Sequence, residues 1–348
     1  MGKSISFLLG AGFSAPIGFP IGNKLSGMIV KKCRQEAQIT RNKYARLLEY
    51  MINNHIEFFK KFDYEDFFDR IECYYKKEDA NYLWAQFGIS NELKGLKDYY
   101  QYTIFKLLNK IPIYNGESVY DSFLKSLCCL VNKNDEINIH SLNHDLLFES
   151  FRMSSLIGDE ICDGYEKENS IYKENGKFKI PYYSGIYNKK IRLYKLHGSI
   201  DQYKYFNQSG DVSIYVKIDN SSYHDDIHKY SKMGEQIDTY IPANTEPRFL
   251  TGDIMKTKSL REDYFEKLMT RFEENLEQSD YLIIIGYGAK DKEINKRIKT
   301  HFDYKNKPCY IWDLNPGGVL KKFAAEINAL PIIEDSVTNF KLPTAINC

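Results

Sequence analysis

The residues best suited to chemistry fall in short clusters, each directly after an apolar run. Gly10-Ala11-Gly12-Phe13-Ser14-Ala15 follows Ile5–Leu9 and fits the pattern G-x-G-x-x-G/A. Glycines at these positions let the backbone turn tightly and approach a pyrophosphate, while the N-terminus of a following helix offers free N–H groups to the anion. By itself the pattern is also met by a glycine turn that holds no ligand. The acid that an ordinary Rossmann dehydrogenase carries about twenty residues later is missing, because Glu36 is the first acidic residue after the loop. Four further clusters follow: Ser141-Leu142-Asn143-His144-Asp145 after EINIH, Leu196-His197-Gly198-Ser199 after IRLYK, Gly286-Tyr287-Gly288 with Asp291 after YLIII, and Asp313-Leu314-Asn315-Pro316 after CYIW. Any one of them is bland, since a lone histidine is usually structural and Asn-Pro usually marks a turn. Their repetition after successive strand signals is what points to a site.

The elements that must position these clusters alternate between strand and helix. Strands are expected at Ile5–Leu9, Glu136–His140, Ile191–Lys195, Tyr281–Ile285 and Cys309–Leu314. Helices are expected from Asn23, as its cap, to about Arg34, over Asp145–Met153, from about Leu260 to Glu277, and near Lys290–Thr300. This order predicts an α/β fold with a Rossmann-like, doubly wound parallel sheet and ligands at the carboxyl ends of its strands. Between the strands, residues 40–130 read as an inserted helical module, with spacings such as Tyr44/Leu47/Leu48/Met51 and Leu93/Leu96/Tyr100. Residues 155–255 read as a second, mixed insertion with alternating runs such as Val212–Ile218.

Composition narrows the partners. The 348 residues would make about two domains of ordinary size, or one with large insertions. Lys plus Arg is 48 against 47 Asp plus Glu, so no global basic field exists to hold nucleic acid or an anionic membrane. Seven cysteines with no C-x-x-C pair write neither a zinc ribbon nor a disulfide framework, and predict a reduced, cytoplasmic chain with no bound metal. The uncharged stretch between Lys3 and Lys24 is interrupted by Gly10, Gly12, Pro16, Gly18, Pro20 and Gly22, which argues against a signal peptide or membrane span. His224-Asp225-Asp226-Ile227-His228 has an i, i+4 histidine pair but no third ligand, and reads as a solvated segment. Lys189, Lys190, Arg192, Lys195 and Lys204 read as a solvated basic face.

Taken together, GAGFS, SLNHD, KLHGS, GYGAKD and DLNP resemble the motifs of the sirtuin superfamily, and most closely those of bacterial sirtuin-like antiphage defence proteins that cleave NAD⁺. The motifs span residues 8 to 316, so the resemblance implies one sirtuin-like NAD-binding domain over 1–348 with both insertions inside it. It implies that Ala11, Gly12 and Ser14 contact the pyrophosphate, with Gly10 and Phe13 in the same loop. Asn143 would position the nicotinamide ribose and a water, Asp145 would hold the carboxamide, and His197 would be the general base. Gly286 would line the ribose side, Tyr287 and Asp291 would be cofactor-binding residues of the same cluster, and Asn315 would meet the adenosine ribose. The residue types suit that reaction. Nicotinamide leaves as a neutral base from a cationic precursor, so cleavage at C1′ passes through an oxocarbenium-like state, and a histidine titrating near neutrality can take the proton of the acceptor.

Two departures separate the family's activities. Deacylating sirtuins carry a four-cysteine zinc module between the HG and later glycine motifs, whereas this chain has no cysteine between His197 and Gly286. Where sirtuins read G-I-P-D-F-R, this chain reads Gly18-Phe19-Pro20-Ile21-Gly22-Asn23. Water is then the expected acceptor, giving nicotinamide and ADP-ribose. Deacylation or ADP-ribosyl transfer is the enzymatic alternative, and an NAD⁺ or ADP-ribose sensor is the alternative of another class. The resemblance also implies a homo-oligomer held inactive until a partner protein, such as a translocase-type ATPase or a phage-sensing protein, releases it.

Overall fold

The computed structural model describes residues 2–39, 42–54, 93–109, 116–218, 225–243, 246–250 and 263–346. The chain divides into two compact units: Met1–Phe19 with Ile113–Arg248 and Asp263–Cys348, and Pro20–Pro112 with Phe249–Glu262.

The first unit contains two sheets. In chain order its strands are β1 (Ser4–Leu9), β2 (Glu136–Ser141), β3 (Ile161–Cys162), β4 (Gly164–Glu166), β5 (Tyr172–Glu174), β6 (Phe178–Lys179) and β7 (Tyr182–Ile186). They continue with β8 (Ile191–Lys195), β9 (Gln202–Asn207), β10 (Ser213–Lys217), β11 (Ile227–Tyr230), β12 (Gln236–Pro242), β13 (Tyr281–Ile285) and β14 (Cys309–Trp312). One sheet runs β14-β13-β1-β2-β8-β3 with every pairing parallel. Ile5 to Leu9 are all buried, as expected of a central parallel strand covered on both faces. The expected α/β parallel sheet is therefore present, and all five strands read from the sequence belong to it. Its register is level at one end: Leu9 lies beside Ser141 and Ile285, Ser141 beside Lys195, and Ile285 beside Trp312.

The second sheet, β4-β7-β10-β9-β12-β11-β5-β6, is antiparallel. It occupies most of the region read as mixed and buries Tyr172, Tyr203, Tyr205, Val216, Ile227 and Tyr240 on one face. His228 lies on β11 with its Nδ1 3.1 Å from Thr239 Oγ1, so it belongs to a sheet and not to a helical metal pair. Its expected companion His224 lies outside the described residues.

Helices cover the parallel sheet. The Asp121–Asn132 helix buries Phe123, Leu124, Leu127, Leu130 and Val131, an apolar stripe at helical spacing. Phe123 meets Phe7, Phe13 and Phe340 with ring centroids 6.0, 5.1 and 5.3 Å apart. The Asp263–Gln278 helix buries Tyr264, Phe265, Leu268, Met269, Phe272 and Leu276. The second unit packs the Gly22–Ile39, Lys43–Asn54 and Leu93–Leu108 helices together, burying Ile29, Cys33, Leu48, Met51, Leu96, Tyr100 and Ile104. Tyr99 donates to Glu36 at 2.7 Å there. The first of these helices includes Asn23 and runs past Arg34 to Ile39, so Asn23 does not precede it as a cap; helix ends vary by a residue or two with local hydrogen bonding.

Among the described residues no helix is long and apolar enough to cross a membrane. Cys33, Cys128, Cys162 and Cys309 are free thiols, and burial pushes Cys33 up to about 12.

A buried group of charges joins the two sheets of the first unit. Lys217 on β10 lies 2.7 Å from Asp163, 3.3 Å from Asp201 and 3.6 Å from Glu149. Arg152 lies 2.8 Å from Asp163. Burial alone would raise the Asp163 carboxyl, but Lys217 and Arg152 outweigh it and hold the group at about 2. A depressed carboxylate stabilises the fold above its unfolded value near 3.9 and loses that contribution as pH falls toward 2. Lys217→Met should cost about 3–5 kcal/mol at pH 7, since it strands buried carboxylates. The cost should shrink as pH falls toward 4, where the stranded acids accept protons. Denaturant unfolding across pH checks both, and a pH-independent cost would contradict the ion-pair account.

Candidate functional site

The level ends of β1, β2, β8 and β13 deliver Gly10, Asn143, His197 and Gly286 to one edge of the parallel sheet. The first loop does not wander after β1: Ala11–Ser14 forms a short helix at once, and Ala15–Ile17 continues as a 3₁₀ turn. Its glycines are required by a neighbouring turn. Gly10 N donates to Ile285 O at 3.0 Å and Gly12 N donates to Gly286 O at 2.9 Å. A Cβ on Gly12 would stand 2.7 Å from Gly286 Cα, and one on Gly286 would stand 2.3 Å from Phe13 N. Gly286 also has a φ of 62°, the left-handed region. The Gly12 N–H, expected at a pyrophosphate, is thus engaged with Gly286.

Asn143 is fixed by that loop. Its Nδ2 donates to Gly10 O at 2.9 Å and to Ser14 Oγ at 3.0 Å, and its backbone N–H donates to Ser141 Oγ at 3.2 Å. Both amide hydrogens are used, and a carbonyl acceptor at Gly10 dictates the amide's orientation. Oδ1 is therefore the end of the Asn143 amide that takes no part in these two bonds. The Ser14 hydroxyl favours the ionised form of the Asp145 carboxyl, and Asp145 Oδ1 accepts from Leu147 N at 3.0 Å. Burial raises the Asp145 carboxyl above its ordinary value, against Lys195, the Leu147 N–H and Ser14. Such a carboxyl can accept from an amide NH₂ or, protonated, donate to an amide oxygen.

His197 is nearly buried, with its Nε2 3.3 Å from Asp291 Oδ2 and its ring 6.3 Å from that of His144. Asp291 caps the Lys292–His301 helix, its Oδ1 accepting from Glu293 N and Ile294 N at 3.0 and 3.1 Å. The Tyr287 hydroxyl is within 3.0 Å of Asp291 O and 2.8 Å of Asn295 Oδ1, which pins the loop.

Phe13 and Asn315 make contacts of their own within the chain. The Phe13 ring is a core element, packed 5.1 Å from both Tyr120 and Phe123, and the Tyr120 hydroxyl donates to Phe13 O. Asn315 is exposed after β14, its N–H donating to Asp313 Oδ1 at 2.9 Å. Lys195 is not part of a solvated basic face. It is buried, donating to Asp145 O and lying 3.4 Å from Glu149, because the last inward position of β8 aims it under the site. Arg192 pairs with Glu136 at 3.0 Å. The ion group around Lys217 escaped sequence reading, since its members are scattered between Glu149 and Lys217 with no shared spacing. Surface cavities of about 390 Å³ beside Phe340 and about 400 Å³ beside Arg192 contain none of the strand-end residues. Among the described residues no His, Cys, Asp and Glu cluster could hold a metal ion.

No family model matches the sequence, and no curated protein matches it. Solved structures similar to it include "Structure of Sir2Tm bound to a propionylated peptide", 11% identical over 97% of this chain and 90% of that one, with a TM-score of 0.38. "The Structural basis of Sirtuin Substrate Affinity" is 12% identical over 98% and 92%, with a TM-score of 0.40. "Sir2 bound to acetylated peptide" is 11% identical over 98% and 91%, with a TM-score of 0.39.

Gly286→Ala should destabilise the fold by at least about 2 kcal/mol through overpacking and left-handed strain. Gly288→Ala, where an added Cβ meets nothing within 4 Å, should change stability by under about 1 kcal/mol. Thermal melts of the two variants decide it, and equal losses would contradict loop-on-loop packing as the reason for Gly286.

Proposed function

We propose that the protein is an NAD⁺ glycohydrolase, converting NAD⁺ and water to nicotinamide and ADP-ribose. The observation that carries this reading is the gathering of Asn143, bonded to Gly10 O and Ser14 Oγ, with Asp145 and His197, all nearly buried after neighbouring parallel strands. In this reading the Asp145 carboxyl holds the nicotinamide carboxamide, and Asn143 Oδ1 accepts from a ribose hydroxyl or the attacking water. His197 takes the proton released as the water oxygen bonds to C1′. The glycosidic electron pair leaves with nicotinamide, which departs neutral and needs no acid. Positioning and one proton transfer suffice for this chemistry.

The motif resemblance supports NAD⁺ as the substrate, with Ala11, Ser14 and the Gly10–Phe13 loop toward the pyrophosphate and Asn315 toward the adenosine ribose. The near-complete burial of Asn143, Asp145 and His197 supports a site that must open to admit a dinucleotide. That suits a cytoplasmic antiphage effector, a homo-oligomer held off until a partner protein acts, because unrestrained NAD⁺ loss is lethal to its own cell. We take the domain as one sirtuin-like NAD-binding domain carrying insertions.

Incubation of the protein with NAD⁺, alone and with its genomic-neighbour protein, should release nicotinamide and ADP-ribose without any peptide. Asn143→Ala and His197→Ala should each lower the rate about 100-fold or more. Turnover that requires an acetylated peptide would replace hydrolysis with deacylation. NAD⁺ binding with no turnover under either condition would replace it with a sensor.

A further inference from the structure

We infer that Asp291 is a positioning residue for His197, fixing which ring nitrogen accepts the proton, and is not a contact to the dinucleotide. The inference rests on the proposed hydrolysis only for its kinetic consequence; its structural half stands on the geometry. The two carboxylate oxygens of Asp291 have different neighbours among the described residues. Oδ1 accepts from Glu293 N and Ile294 N at the start of the Lys292–His301 helix. That cap leaves Oδ2 facing His197 Nε2 at 3.3 Å.

Three features hold Asp291 in place. The Tyr287 hydroxyl lies 3.0 Å from its carbonyl oxygen and 2.8 Å from Asn295 Oδ1, and Asn295 Nδ2 donates to Ala289 O at 2.8 Å. Ala289 takes a φ of 55°, so the loop between Gly286 and Asp291 is bent back on the helix it caps. His197 is equally constrained, following β8 in a turn where Gly198 N donates to Lys195 O at 2.9 Å. A carboxylate facing one nitrogen of a neutral imidazole keeps the hydrogen on that nitrogen and leaves the lone pair on the other. His197 therefore rests with Nε2 protonated and Nδ1 as its acceptor. When water attacks C1′, its oxygen forms the new bond, the C1′–N pair departs with nicotinamide, and the water proton passes to Nδ1. The resulting imidazolium is stabilised by the Asp291 carboxylate until the proton goes to solvent.

Asp291→Asn keeps a cap acceptor while removing the charge, and Asp291→Ser keeps a cap but withdraws the group from the ring. The test pairs nitrogen NMR of ¹⁵N-histidine-labelled full-length protein, with His197→Gln to assign the signal, and steady-state hydrolysis of NAD⁺. The wild type should show the Nε2-protonated tautomer at His197, and both variants should shift toward a tautomer mixture. In turnover, kcat should fall about 10-fold or more in both variants with KM within about twofold, and thermal melts should stay within a few degrees of the wild type. An unchanged His197 tautomer in Asp291→Asn and Asp291→Ser overturns the inference, whether or not NAD⁺ is hydrolysed. A raised KM with unchanged kcat also overturns it and returns Asp291 to the ligand. NAD⁺ binding without turnover in the wild type would instead remove the hydrolase reading, and the tautomer shift in the two Asp291 variants then decides the inference by itself.

Discussion

Two turns lie against each other with no side chain between them, and the arrangement of the site follows from that contact. Gly12 and Gly286 meet backbone to backbone, tied by Gly12 N to Gly286 O, while Gly10 N reaches Ile285 O. The carbonyl of Gly10 is thereby turned to receive Asn143, and Ser14 is brought within reach of both Asn143 and Asp145. On the other side, Gly286 starts the loop that returns through Tyr287 to Asp291 and His197. Glycine at these positions is a requirement of close approach inside the protein, before any ligand is considered.

Beneath that edge the fold invests charge as well as apolar surface. Lys195 and Lys217 are both buried below the site, the first held by Asp145 O and Glu149, the second by Asp163, Asp201 and Glu149. Such groups are costly to bury, and they are satisfied only when β2, β8, β10 and the segment around Asp163 all take their places. A hydrophobic filling would tolerate a looser arrangement of the two sheets. The consequence for Asp145 is electrostatic: burial raises its carboxyl above the ordinary value, and the neighbouring Lys195 ammonium group opposes that rise in part.

Much of this was legible in the sequence because parallel sheets announce themselves by continuous apolar runs followed by polar turns. Ile191–Lys195 and Tyr281–Ile285 fall on strands with the same bounds, and the clusters after them fall at one edge because the register is level. What was not legible depended on which way a side chain points or on distant partners. Lys195 looks like one more surface lysine among Lys189, Lys190 and Arg192, yet strand alternation sends it inward. Phe13 sits in a phosphate-loop pattern, yet its ring belongs to the core with Tyr120 and Phe123. The pairing of Asp291 with His197 spans the chain from one strand end to another, so no local spacing could have shown it.

The chemistry divides along the same line between local and distant constraint. Asn143 receives its orientation from the first loop, which fixes its Nδ2 and leaves Oδ1 outward. His197 has its Nε2 facing a residue that also starts a helix. The two groups thus answer to different elements, although both rest on the glycine contact. A shift in the Gly286–Asp291 loop would move the histidine's partner while leaving the amide in register. A shift in the Ala11–Ser14 helix would do the reverse. Displacing either element would separate the two groups, and an oriented acceptor without a base transfers no proton.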